Sequence, residues 1–143
     1  MDSTLAIGRM RLMLGLITLF VMGAVVTELF LLQHDEEWRQ ILPIVVVATG
    51  ALLLLVQLAR PSAAGLILLR LVMVVMIATG LLGVYFHYAG NLEFQLEMDA
   101  TQRGWELMKK VLEAKTPPAL APGALAQIGM LGLLYTYRHP SLK

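Results

Sequence analysis

The sequence predicts an all-α integral membrane protein, a bundle of four transmembrane helices with an extracytoplasmic amphipathic helix between the third and the fourth. Three observations carry this. The 143 residues are 58% hydrophobic and only 15% charged, whereas soluble domains run at roughly 45–50% apolar and about 25% charged. The apolar residues gather into four long stretches, and the mean hydropathy is +0.74. At about 20 apolar residues per span, four spans and their connections use up the chain, so residues 1–143 form a single membrane domain.

The first stretch, residues 12–32, carries one charge, Glu28, and follows Arg9 and Arg11. It is longer than the apolar region of a signal peptide and lacks a small-residue cleavage site, so it reads as an uncleaved anchor. The second, residues 41–59, has Pro43 in its first turn, where a missing N–H costs least. Arg60, Pro61, Ser62 and Gly65 make a tight turn into the third, residues 66–88, so these two spans form an antiparallel hairpin. Arg70 lies one turn inside, close enough for its stem to return the guanidinium to the interface. The fourth, residues 118–137, starts irregularly through Pro118 and Pro122, with Tyr135 and Tyr137 as interfacial aromatics at its far end.

Residues 89–117 form the largest polar segment. Asp99 and Gln102 have the spacing of a capping box. Trp105, Met108, Val111 and Leu112 then recur at helical spacing opposite Glu106, Lys109, Lys110 and Glu113, which predicts a surface helix of about four turns ended by Thr116–Pro117–Pro118. Trp105 is its expected membrane anchor, as Trp38 is for the first outer loop; the alternative is that the helix packs over the mouth of the bundle. Residues 92–98 alternate apolar and polar, yet a lone strand has no partner here, so the segment reads as a helical or extended cap.

Arg9, Arg11, Arg60, Arg70, Arg138 and Lys143 collect on one side with a single acid, Asp2. The other side holds most of the carboxylates, and its basic residues lie largely within one long loop. Lys and Arg near span ends favour the cytoplasm, so both termini are expected there, in a bacterial-type inner or plasma membrane.

The absence of cysteine excludes disulfides, thiolate nucleophiles and Cys-ligated metals. A net charge of +1 gives no footprint for nucleic acid. Ser3, Ser62 and Ser141 fall on the side away from His34 and His87, without a GxSxG motif, and no phosphate-binding loop is present. The chain therefore leans away from being an enzyme.

Glu28 shares a helix face with Gly23, Ala24 and Thr27, so it either faces a close helix contact or snorkels to the headgroups. His87, beside Tyr85 and Tyr88, ends a stripe of Met76, Thr79, Gly80 and Gly83 and is either a ligand group or a belt residue. His34, Glu93 and Glu97 complete a set that suits a divalent metal, against the plainer reading of a solvated acidic surface. Met22, Met73 and Met76 are soft donors that also fill cores.

The leading expectation is a non-enzymatic accessory or ligand-binding subunit. It would work through its extracytoplasmic mouth and glycine-bearing helix faces, with the lipid bilayer and a protein partner or second copy as company. One alternative is a metal-ion or proton-handling protein built on Glu28, His87, His34, Glu93 and Glu97. Another is a redox protein holding a quinone between spans one and three, with His87 and Tyr85 at the mouth.

Overall fold

The apolar stretches and their turn residues produce an all-helical chain. A computed structural model describes residues 3–114 and 120–142. It comprises α1 (Ser3–Leu31), α2 (Trp38–Ala59), α3 (Ala63–Met98), α4 (Gly104–Leu112), α5 (Ala121–Thr136) and a closing 3₁₀ turn (Pro140–Leu142). Three helices, α1 from Leu5, α2 and α3, are long and apolar enough to cross a membrane. The 16 residues of α5 reach about 24 Å at ~1.5 Å per residue, short of a ~30 Å hydrocarbon core. The expected fourth span is thus a shorter helix. Residues 118 and 119 of that expected span, and the Thr116–Pro118 helix stop, lie outside the described residues.

The turn between α2 and α3 is built as the sequence predicts. Ser62 caps α3 by accepting a hydrogen bond from the Gly65 N–H at 3.1 Å, and the buried Gln57 side chain accepts one from the Ser62 N–H at 2.9 Å. A Cβ on Gly65 would strike the Gln57 amide and displace the group that holds Ser62. At the other end α2 starts before Ile41, at Trp38, where the Gln40 side chain accepts from the N–H groups of Glu36 and Glu37. Pro43 therefore sits in the second turn rather than the first, and cannot donate to the Arg39 carbonyl.

α3 runs on far beyond the expected end at residue 88. Its 36 residues extend about 54 Å at ~1.5 Å per residue, so residues 92–98 are a helical continuation. Asp99 is the C-cap of this helix and does not cap the next one. Its carboxylate accepts from the Thr101 N–H at 2.9 Å and the Thr101 hydroxyl at 2.6 Å, bonds that hold the Asp99 carboxyl below the usual carboxylate range. The chain then turns through Gly104 at φ +62°, which makes α4 nine residues long instead of about four turns. α4 lies on the α3 extension through Val111, which is fully buried, while Trp105 stays 75% exposed. The Asn91 amide donates to the Val111 carbonyl at 3.2 Å.

α3 and α5 pack antiparallel and touch backbone to backbone. A Cβ on Gly80 would lie 2.7 Å from both the Ala126 nitrogen and the Pro122 carbonyl oxygen, and one on Gly129 would lie 2.7 Å from the Met73 carbonyl oxygen. Such close approach between small residues is how helices bind without a hydrophobic driving force. Of the stripe, Gly80 and Gly83 are covered by α5, while the Met76 side chain meets Gly50 of α2. Met22, Met73 and Met76 are fully buried around Gly50, bearing out their core reading. Tyr135 is buried against Gly15 and Leu58, donating its hydroxyl to the Gln57 carbonyl at 3.3 Å. Tyr135 is accordingly a core residue and not a belt aromatic, whereas Tyr137 faces outward.

Gly80→Ala or Gly129→Ala should force α3 and α5 apart and cost about 1–3 kcal/mol, read as a lower Tm in detergent. Gly23, with nothing within 4 Å of its Cβ position, should accept Ala with an unchanged or raised Tm. Equal losses at all three positions would contradict the backbone contact.

Candidate functional site

The polar chemistry collects at the two ends of the bundle. At the end opposite the chain termini, α1 stops in a motif that places His34. Gln33 takes the left-handed conformation at φ 53°. Its N–H donates to the Phe30 carbonyl at 3.0 Å, and the His34 N–H to the Leu29 carbonyl at 2.9 Å. This is a Schellman closure with a glutamine where glycine is usual. It delivers His34 to His87 on α3, with ring centroids 6.4 Å apart and planes 23° from parallel. Arg39 adds a cation over the Phe86 ring at 4.8 Å and the Trp38 ring at 5.5 Å. Tyr85 stands beside Phe86 with its ring largely outward. Two sequence-selected histidines therefore meet, and near them Arg39 makes a cation–π contact with Phe86 that sequence spacing did not reveal.

The remaining members of the predicted set do not complete a ligand shell. Glu93 and Glu97 lie farther along α3, lining a shallow groove with Ala89, Leu92 and Leu96. Among the described residues no three His, Asp or Glu side chains gather where they could hold one metal ion, whereas a structural or catalytic zinc takes three or four protein ligands. Glu28 is exposed on the outer surface of α1. No α-carbon of α1 approaches one of α3 within 8 Å among the described residues. α2 and α5 each pack against both of these helices, and Met22 of α1 meets Met73 and Met76 of α3 around Gly50.

At the end carrying the termini, Arg70 does not return to the interface alone. It donates from Nε to the Thr136 hydroxyl at 3.0 Å and from Nη2 to the Thr136 carbonyl at 2.8 Å, so a cation closes the C-terminus of α5. Arg11 donates to the Tyr137 and Arg138 carbonyls at 3.4 and 3.3 Å. His139 is buried beside Tyr135, and its Nδ1 accepts from the Ser141 N–H at 3.2 Å. Burial, then the nearby Arg11 cation, lowers the His139 pKa from its usual value. The only sequence signal for this cluster is the positive bias of that end, which says nothing of which carbonyls the arginines reach.

Comparison with known protein families, with curated proteins and with solved structures finds no match for this chain. Function is therefore argued from the arrangement itself.

Gln33→Gly should relieve the left-handed backbone and raise stability by up to about 1 kcal/mol. A lower Tm would show that the glutamine side chain contributes more than its backbone costs. For His139 the folded state prefers the neutral ring, so its support is complete above the unfolded value of about pH 6.5. It is lost as pH falls through the lower folded value. Amide protection at Arg138, His139, Ser141 and Leu142, corrected for the intrinsic pH dependence of exchange, should fall on acidification in the native chain and change less in His139→Gln, whereas identical profiles would remove the ring as the cause.

Proposed function

We propose that this chain is a non-catalytic accessory subunit that receives a transmembrane helix of a partner protein along the outer face of α1. The observation that supports this reading is the exposure of Glu28 at the end of a continuous outward face. Met13, Leu16, Ile17, Phe20, Gly23, Ala24, Thr27, Glu28 and Leu31 follow helical spacing and are all exposed. The Thr27 hydroxyl donates to the Gly23 carbonyl at 2.9 Å, so its polarity is spent within the helix. Gly23 and Ala24 leave a smooth depression between Phe20 and Leu31, and Glu28 offers the acceptor in it.

Carboxylates at lipid depth are expensive without a partner. A parallel second copy would bring two Glu28 carboxylates together, which like charge opposes. The fitting occupant is a different helix with small residues facing Gly23 and Ala24 and a basic or hydrogen-bond-donating side chain level with Glu28. In this reading the chain sits in a bacterial-type inner or plasma membrane with both termini cytoplasmic, Trp38 and Trp105 at the outer interface, and α5 serving as the fourth membrane helix.

A photo-crosslinker at Ala24 in native membranes should give one discrete adduct heavier than the chain, and one at Leu71, exposed on α3, should not. Glu28→Gln should cut the Ala24 adduct by about fivefold or more, the size of a ~1 kcal/mol intramembrane polar contact. An adduct at twice the 15.7 kDa chain mass, or equal yield from both positions, would overturn the proposal.

The His34–His87 ring pair favours a second reading, in which this end of the bundle responds to protons. An acid-induced change in Trp38 fluorescence should then appear in the native chain and be lost in both His34→Ala and His87→Ala. No acid-dependent change, or one that survives both substitutions, would retire it.

A further inference from the structure

Among the described residues, the arginines at the end carrying the termini form no ion pair. Every described carboxylate lies between Glu28 and Glu113, at the opposite end of the bundle. Among the described residues the ion pair present is Lys109–Glu113, also at that opposite end. Arg70, Tyr137, Arg138, His139 and Leu142 line an open pocket at the arginine end. Arg70 is half-buried and pinned by its two bonds to Thr136, an arrangement that leaves Nη1 for another acceptor. Arg138 holds a left-handed backbone at φ 46°, a conformation disfavoured for a side-chain-bearing residue and enriched at ligand sites. Arg11 tethers the carbonyls on either side of that bend. The pocket thus joins two guanidinium groups and an imidazole to an apolar wall of Tyr137 and Leu142.

We propose that this pocket binds the phosphate group of an anionic phospholipid, with Arg70 and Arg138 on the phosphate oxygens and Tyr137 and Leu142 beside the start of the acyl chains. Guanidinium groups suit phosphate because their planar donors match its oxygens, and basic pockets between membrane helices on one leaflet hold such headgroups. The apolar wall sets a lipid above free phosphate, which has nothing to place there. This site is independent of the α1 face, which lies on another helix surface.

The test uses the full chain in detergent, with phosphatidylglycerol titrated against phosphatidylcholine and bound lipid counted by native mass spectrometry. The native chain should retain phosphatidylglycerol preferentially. Arg138→Gln should weaken retention about tenfold, as loss of a charge-assisted contact does. Arg60→Gln removes equal charge from the same end outside the pocket and should change it by less than about threefold, since exposed charge is screened. Arg70→Lys keeps the charge but loses the forked geometry, and should weaken retention while the Tm reports whether the fold persists. Equal losses in Arg138→Gln and Arg60→Gln would reduce the effect to bulk attraction and overturn the site, as would no preference for phosphatidylglycerol. Complete displacement of the lipid by inorganic phosphate would overturn the lipid assignment in favour of a free anion.

Discussion

Because Gly80 and Gly129 carry no side chain, α3 and α5 meet backbone to backbone, and much of the remaining arrangement follows from that contact. Pro122 fits against Gly83, and Gly132 faces the Met73 sulfur, so the seam runs the length of α5. With the register fixed, Tyr135 reaches Gly15 and Gln57, and Thr136 comes to rest beside Arg70. α1 is left to pack on α2 and α5, and its opposite face is exposed among the described residues. A short helix thus decides which small-residue stripe is consumed inside the bundle and which remains outside.

The two ends of the bundle solve different electrostatic problems. At the arginine end, the cations satisfy backbone carbonyls where helices stop, as Arg70 does for α5 and Arg11 for the turn after it. That use leaves their positive charge uncompensated by any described carboxylate. At the opposite end the carboxylates are mostly solvated, Arg39 rests on aromatic rings, and the two histidines pair through a helix-terminating turn. The charged minority therefore closes helix ends at one end and is mostly exposed to solvent at the other.

Several features were legible because they depend on local chemistry. Ser62 and Gly65 mark the hairpin, and the apolar length of three helices follows from composition alone. Others were misread because a local pattern has two structural solutions. Asp99 with Gln102 matches a capping box, but the same carboxylate closes a turn on Thr101 once α3 continues to Met98. The predicted apolar face of α4 included Trp105 and Leu112, yet Val111 is the residue that packs inward, because α4 rests on α3 and the rest of its apolar side faces out. Tyr135 and Tyr137 look alike as terminal aromatics; only the presence of Gly15 opposite one of them separates core from surface.

The sequence by itself determined that the chain is helical, apolar enough for a membrane, and asymmetric in charge, because hydropathy and turn chemistry are properties of neighbouring residues. It also nominated Glu28, His34 and His87. Tertiary structure alone decided that the histidines meet while Glu28 faces outward, and that Gly80 and Gly83 of α3 are spent on α5. Helical periodicity shows which residues share a face. It carries no information about which other helix, if any, that face will meet, since the partner is chosen by close packing between segments distant in the chain.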